Sequence, residues 1–167
     1  MTTVRAATPA DASAIARVER AAFGQEDEAR LVAALDAGGY TRISLVAERE
    51  GEVIGHVLLS ELEFAAPSGP LPALVLAPVA VAPPHQRQGV GEALVRAALE
   101  LAQQQGCRAV VVLGHPGYYP RFGFSVLAAA GIRSPYQGPH FMAIDFTPDA
   151  GSLVGELTYP APFAELP

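Results

Sequence analysis

Gly89 and Gly91 lie in a polar turn between an apolar strand, predicted over 74–81, and an amphipathic helix. Backbone amides at the start of a helix point towards one spot at the positive end of the helix dipole, and glycine lets a ligand approach them closely. The turn therefore predicts an anion site suited to a phosphorylated ligand. The helix is predicted from apolar residues at helical spacing, which are Leu94, Val95, Ala98, Leu99 and Ala102.

Two families of phosphate-binding turns do not fit this spacing. A nucleotide triphosphatase loop requires a Lys and a Ser or Thr after its last glycine, and neither residue follows Gly91. A dinucleotide-binding turn requires a third glycine, and Leu94 occupies that position. The ligand is thus predicted to be neither a nucleoside triphosphate on a P-loop nor a dinucleotide on a Rossmann turn.

Pro78 lies within the strand that leads into the turn. Proline has no amide hydrogen to donate to a sheet, so a proline inside a strand indicates a bulge or a local opening of the sheet. The sequence therefore predicts that the sheet is irregular at this strand.

Candidate acids and bases follow the strands. Glu61 and Glu63 are two residues apart on the predicted strand 53–64, so they share a face. His115 comes directly after the apolar strand 109–113, at a position where functional groups are common in α/β sheets. His140 precedes the last strand and could line an acceptor pocket, whereas His56, in mid-strand, is interpreted as structural.

The segment Gln86-Arg-Gln-Gly-Val-Gly91 resembles the Q/R-x-x-G-x-G/A signature of the GNAT superfamily of acetyl-CoA-dependent N-acyltransferases. The later segment Tyr118-Tyr-Pro-Arg-Phe-Gly-Phe124 resembles the Y-x-x-x-G-F element of the same family, particularly in a bacterial branch of small predicted acetyltransferases. The resemblance implies that coenzyme A or acetyl-CoA is bound, without a metal. The cofactor-binding residues that it implies are Val79, Ala80, Val81, Gln86, Arg87, Gln88, Gly89, Val90, Gly91, Glu92, Tyr119 and Phe122.

The resemblance also implies that Tyr119 is the acid that protonates the departing thiolate, with packing on the pantetheine as the alternative. His115 and Glu61 are the candidate bases, but a water chain or an amine that arrives neutral would serve as well. The acceptor that the resemblance implies is a primary amine of a small molecule or of a protein. A catalytically weak acyl-CoA-binding or sensing module is the alternative function, since no base is obvious.

Bulk properties limit the other function classes. The chain of 167 residues carries a net charge of −6 and a pI near 5.1, which argues against nucleic-acid binding because no basic stripe is present. Cys107 is the only cysteine and begins an apolar strand, so we interpret it as a core residue. The sequence shows no secretory leader and no membrane span, which predicts a cytoplasmic protein, and it allows a homodimer.

The order of the predicted elements indicates an α/β (α+β) fold. A mixed, twisted central sheet is splayed at the bulged strand and has helices on both faces, as the GNAT resemblance also implies. We predict one domain over 1–167, with a core over about 1–146 and a tail over 147–167 that packs on it. The segment 67–72 is predicted to be a surface loop between strands.

Overall fold

A computed structural model describes residues 1–165. The strands are β1 Thr2–Ala6, β2 Thr41–Arg49, β3 Glu52–Ala66, β4 Gly69–Val81, β5 Ala109–Leu113, β6 Ile132–Arg133, β7 Phe141–Asp145 and β8 Gly155–Thr158. The helices are α1 Ala12–Phe23, α2 Asp27–Ala37, α3 Val90–Gln104 and α4 Val126–Ala129, and a 3-10 turn covers Tyr119–Phe122.

The sheet runs in the order β1-β2-β3-β4-β5-β7, and β4 and β5 are parallel whereas the other neighbours in this path are antiparallel. Helices α1 and α2 bury Ile15 and Leu35 against one face of the sheet. Helix α3 buries Leu94 and Ala98 against the other face. The predicted mixed sheet with helices on both faces is confirmed.

Strand β4 bulges where the sequence predicted an irregularity. Val57 of β3 pairs with Val79, but Leu59 pairs with Leu76, so β4 has one more residue than β3 between the two pairs. The extra length falls around Pro78, which cannot donate a ladder hydrogen bond.

The sheet opens next to this bulge. The pairing of β4 with β5 runs only from Ala73 to Val75. Beyond Val75, no strand within residues 1–165 pairs with that side of β4, and the two strands diverge. This divergence creates a V-shaped cleft between the end of β4 and the end of β5.

The prediction of a loop over 67–72 is wrong for most of that segment, because β4 begins at Gly69. Pro70 and Pro72 pair with Ala65 and Glu63 in the register of a long β3–β4 hairpin. Both prolines are exposed, and Pro72 accepts a hydrogen bond through its carbonyl from the amide of Arg108 at 2.8 Å. Proline is tolerated here because its carbonyl, not its missing amide, makes the ladder contact.

The segment after residue 146 contributes a strand to the sheet. Strand β2 ends its pairing with β3 at Ser60, and β8 then pairs with residues 63–65 of β3. The C-terminal segment thereby reaches the side of the sheet covered by α1 and α2, where Leu157 and Phe163 join the core. In the described part of the chain, none of the helices is long and apolar enough to cross a membrane.

Candidate functional site

The turn before α3 forms a cavity of about 400 Å³ at the start of that helix. Gly89 caps the helix with a left-handed backbone (φ 84°), and Arg87 also has a positive φ of 63°. The amide of Ala93 makes the first helical hydrogen bond, to the carbonyl of Gly89 at 3.0 Å. The amides of Val90, Gly91 and Glu92 precede that bond, so they are free to bind an anion.

Two arginines and a histidine are among the side chains that line this cavity. His85, Arg87 and Arg121 line it, and the Arg121 guanidinium lies 4.3 Å from the centre of the Tyr118 ring. Glu92 also lines the cavity, with its carboxylate 3.7 Å from Arg121. The arginines place positive charge where the helix dipole is positive as well, which suits a pyrophosphate.

Backbone alternation on β4 decides which amides face the cleft. The amide of Ala82 bonds to the carbonyl of Ile54 on β3 at 2.8 Å. Polar groups of successive residues in an antiparallel strand point to opposite sides, so Ala80 also faces β3 whereas Val79 and Val81 face away from it. The side-chain amide of Gln86 donates to the carbonyl of Val81 at 2.9 Å, as expected for a carbonyl on the free side.

Tyr119 stands at the point where β4 and β5 diverge. Its half-buried ring packs edge-on against Tyr118, with centroids 5.1 Å apart, and against Phe124 at 5.8 Å. The backbone of Gly114 lies directly behind the ring, since a Cβ added to this glycine would be only 2.4 Å from Cε2 of Tyr119. Burial raises the pKa of Tyr119 to about 12.

A second cavity, of about 460 Å³, continues from Tyr119 and Val79 towards α1 and α2. Its far wall consists mainly of aromatic and aliphatic side chains from four separate segments of the chain. Glu28 is the one charged side chain among the described residues that line it. This wall includes Phe23, Glu28, Leu31, Tyr136, Tyr159 and Phe163.

The predicted cofactor residues fall into three groups. Most of them line the cavity at the start of α3, namely Val81, Gln86, Arg87, Gly89, Val90, Gly91 and Glu92. Val79 and Tyr119 line the second cavity instead. Ala80, Gln88 and Phe122 line neither: Ala80 faces β3, Phe122 is buried under the Tyr118 and Tyr119 rings, and the Gln88 side chain accepts from Arg49 at 3.0 Å.

The candidate bases do not line the cavity with Tyr119. The Glu61 carboxylate lies 2.8 Å from the Arg42 guanidinium at the surface. Glu63 lines a different depression, on the β3–β4 hairpin. The exposed His115 faces the ring of His140, with ring centroids 6.3 Å apart, and its carbonyl accepts from the Tyr119 amide at 3.2 Å. The roles of Glu61 and His115 stay predictions.

A buried polar network lies between α1 and the sheet, and sequence reasoning missed its carboxylate. His56 bonds through Nδ1 to Oε2 of Glu19 at 2.7 Å, and its Nε2 lies 3.0 Å from Oγ of Ser44. Glu19 and His56 are both fully buried, which matches the structural interpretation of His56. Burial raises the pKa of Glu19, the nearby charge of Glu28 acts in the same direction, and the His56 contact opposes both.

Among residues 1–165, no group of three or more His, Cys, Asp or Glu side chains is arranged to hold a metal ion. The lone thiol, Cys107, contacts the carbonyl of Ala109 at 3.0 Å, and burial raises its pKa. The thiol is therefore held away from its reactive, ionised form.

The chain matches the family model for an acetyltransferase (GNAT) domain over residues 3–127. It is 42% identical over 132 residues to the uncharacterized N-acetyltransferase YjhQ of Escherichia coli strain K12, which covers 77% of this chain and 73% of YjhQ. It is 35% identical over 136 residues to the uncharacterized N-acetyltransferase YhbS of the same strain, which covers 81% of this chain and 80% of YhbS.

Two solved structures resemble the whole chain. The crystal structure of YhbS from Escherichia coli in complex with CoA superposes with a TM-score of 0.90 at 32% identity, covering 99% of this chain and 93% of that one. A GNAT family acetyltransferase from Brucella melitensis in complex with acetyl-CoA gives a TM-score of 0.83, also at 32% identity, covering 98% of each chain.

Proposed function

The chain belongs to the GNAT family of acetyl-CoA-dependent N-acetyltransferases, and we propose that it moves acetyl from acetyl-CoA directly to a primary amine in a ternary complex. The observation that carries this proposal is the placement of Val79 and Tyr119 in one cavity, at the mouth of the cleft between β4 and β5. The phosphate cavity at the start of α3 lies at the other end of the free edge of β4, where Val81 lines it.

The pyrophosphate of the cofactor would bind the free amides at the start of α3, with Arg87 and Arg121 nearby. The pantetheine arm would then lie along the free edge of β4, where the polar groups of Val81 and Val79 point away from β3. This arrangement would bring the thioester to Tyr119. Two structural relatives hold CoA or acetyl-CoA, which supports the same ligand here.

In the transfer step, the lone pair of a neutral amine attacks the thioester carbonyl carbon. The C–N bond forms, the C–S bond breaks, the amine loses a proton, and the thiolate gains one. The amide of Val79 is the donor we assign to the carbonyl oxygen, where negative charge develops, because Ala80 points towards β3 and Pro78 has no N–H.

Tyr119 is the acid that we assign to the thiolate. A phenol of pKa about 12 is a weaker acid than an ordinary thiol, whose pKa is about 8.5. The cleft that raises the pKa of Tyr119 also desolvates the thiolate, however, and desolvation raises the pKa of a thiol in the same way. The two groups are therefore better matched inside the cleft than in water.

Direct transfer is favoured over a covalent enzyme intermediate because of the position of Cys107. This thiol does not line the cavity that contains Tyr119, and its raised pKa disfavours the thiolate. A cytoplasmic location and a homodimeric state stay predictions from the sequence.

The alternative function is an acyl-CoA-binding or sensing module without useful turnover. It is favoured by the placement of Glu61, which is paired with Arg42 and does not line the cavity with Tyr119. Both functions require acetyl-CoA to bind, so only turnover separates them.

Calorimetry tests whether the protein binds acetyl-CoA, which both functions require. Release of free CoA thiol with a panel of amines tests turnover. We expect micromolar to millimolar binding and amine-dependent thiol release. Binding without amine-dependent release would leave the sensing module, whereas no binding of CoA or acetyl-CoA at millimolar concentration would contradict both functions.

A further inference from the structure

In the proposed function, the second cavity, which continues from Tyr119 towards α1 and α2, is the acceptor end of the cleft. This acceptor end has an aromatic wall. The rings of Tyr136 and Tyr159 pack edge-on with centroids 5.0 Å apart, and Tyr159 packs in the same way on Phe163 at 5.6 Å. The Tyr159 hydroxyl lies 3.2 Å from Oγ of Ser134, which fixes the orientation of this ring. A wall of mutually packed rings offers a preformed apolar surface to a ligand.

Phe23 extends this wall from the end of α1. Its side chain is 42% exposed although it is large and apolar. Since it lines the cavity, a bound apolar group would cover it. Covering such a side chain stabilises a complex through the hydrophobic effect.

Glu28 supplies the charge of the acceptor end. Its two carboxylate oxygens lie 3.0 and 3.2 Å from the side-chain amide nitrogen of Gln25, which holds the carboxylate in place. The other acidic side chains that the sequence offered, Glu61 and Glu63, do not line this cavity. The lining in residues 1–165 thus combines one anionic group with a largely apolar surface.

A single carboxylate in an otherwise apolar lining favours some classes of amine over others. A polyamine would leave its further cations without carboxylate partners in an apolar cavity, which is costly. A free amino acid would bring a second carboxylate close to Glu28, where the described lining offers no cation to bind it. A peptide would bring backbone amides and carbonyls that need partners of their own.

We propose that the acceptor is an arylalkylamine, a primary amine with one positive charge and an aromatic group. This inference rests on the proposed acetyltransferase function and names its substrate class. The ammonium group binds the Glu28 carboxylate, and the aromatic group packs on Phe23, Tyr159 and Phe163. The amine nitrogen then loses its proton to the carboxylate or to water before it attacks the thioester.

The test uses 2-phenylethylamine and its uncharged isostere 2-phenylethanol, titrated by calorimetry into the protein saturated with CoA. We expect the amine to bind at least about tenfold more tightly than the alcohol, as for a hydrogen bond between charged groups. Glu28→Gln keeps the shape of the side chain and should remove most of this preference. Phe23→Ala, at an exposed position, should weaken both ligands alike.

The matched control is Glu26→Gln, because Glu26 is in the same segment but pairs with Arg20 on the surface and does not line the cavity. This variant should keep the wild-type preference. The acceptor class is wrong if wild-type protein does not bind 2-phenylethylamine, or if Glu28→Gln keeps the preference for the amine.

The rate at which free CoA thiol is released from acetyl-CoA tests the proposed acetyltransferase function separately from the acceptor class. Faster acetylation of spermidine or of a lysine peptide than of 2-phenylethylamine would overturn the acceptor class and leave the acetyltransferase intact. Faster acetylation of 2-phenylethylamine, with a KM that rises in Glu28→Gln but not in Glu26→Gln, would support both.

Discussion

The two ends of the cleft are built in different ways. The phosphate end, the cavity at the start of α3, is formed mainly by one short stretch of chain, residues 81–92, and it offers backbone amides and exposed arginines to a ligand. The acceptor end is assembled from α1, α2, the segment around Tyr136 and the C-terminal segment, and it is lined by packed side chains. The phosphate end therefore depends on local backbone shape, whereas the acceptor end depends on long-range packing.

Because they are built differently, the two ends can recognise different ligands. Backbone amides recognise a phosphate whatever the rest of the ligand is, so the phosphate end can be shared by enzymes with unrelated acceptors. Side chains drawn from four segments can each change independently, so the acceptor end is where members of one family can differ. Substitutions at the phosphate end should therefore affect cofactor binding, and substitutions at the acceptor end should affect the choice of amine.

The largest effect is expected for Gly91→Val. A Cβ at this position would make ordinary contacts, 3.5 Å from Val81 and 3.6 Å from the Tyr118 hydroxyl, so the fold should tolerate it. The branched side chain would nevertheless occupy the phosphate cavity and block the amides at the start of α3. We expect affinity for CoA to fall by roughly 100-fold or more, since several charge-assisted hydrogen bonds are lost.

Ala93→Val is the control for Gly91→Val, because Ala93 is exposed in the same helical turn and does not line the cavity. Calorimetry with CoA compares the two variants, and thermal unfolding checks the fold. Normal CoA binding by Gly91→Val would place the phosphates elsewhere.

A somewhat smaller effect is expected for Tyr119→Phe, which acts where the two ends meet. The ring keeps its contacts with Tyr118 and Phe124, and only the hydroxyl is lost. We expect kcat to fall by about 100-fold, within the range typical of a general acid, while the affinity for acetyl-CoA stays close to wild type. Steady-state kinetics with a competent amine measures both quantities.

Tyr118→Phe is the companion variant, since Tyr118 lines the phosphate cavity and carries the phenol next to Tyr119. The pH profile adds a second check on Tyr119. A phenol of pKa about 12 stays protonated up to pH 10, so Tyr119 should cause no loss of rate between pH 7 and 10. An unchanged kcat in Tyr119→Phe, or a fall in kcat only in Tyr118→Phe, would assign Tyr119 to packing.

Gly114→Ala should have a moderate effect, through the position of the Tyr119 ring. The added methyl group would overlap the ring at 2.4 Å, so the ring must move. We expect kcat to fall by about tenfold with little change in CoA affinity, because a small misplacement of a catalytic group is costly. Gly117→Ala is the control, since a Cβ there has open space around it. Equal kcat in the two variants would show that the ring position does not matter.

The two ends also differ in how far the sequence alone predicts them. The turn before α3 was predictable because Gly89, Gly91 and the helix after them are adjacent in sequence. The bulge was predictable from Pro78, because its missing amide acts locally. Both features can be predicted without knowing which segments of the chain meet in space.

The acceptor end carried no comparable signal. Phe23, Glu28, Tyr136 and Tyr159 come from segments up to 136 positions apart and meet only after β8 joins β3. Glu61 was a reasonable candidate from its position on a strand, but its contact with Arg42 depends on how β2 and β3 pair. Glu19 was not predictable as a partner of His56, because one lies on a helix and the other on a strand 37 positions later.

The smallest effect, a change in how the free energy of unfolding depends on pH, is expected at Glu19, which is fully buried beside His56. Because burial raises the pKa of Glu19, the folded protein binds this proton more tightly than the unfolded chain does. The contribution of Glu19 to the free energy of unfolding is therefore fully present below its ordinary pKa near 4.5, and it declines as pH rises towards the raised value. This contribution to the free energy of unfolding cannot decline by more than about 1.4 kcal/mol per pH unit, which is the limit for one proton.

Glu19→Gln replaces the titratable carboxyl group and keeps the shape of the side chain. The free energy of unfolding of this variant should therefore decline less than that of the wild type between pH 5 and 8. Urea unfolding at several pH values measures the difference. Glu28→Gln removes a nearby charge that also raises the pKa of Glu19, so it should reduce the pH dependence partly. Identical pH profiles for wild type and Glu19→Gln would mean that the buried carboxyl takes up no extra proton on folding.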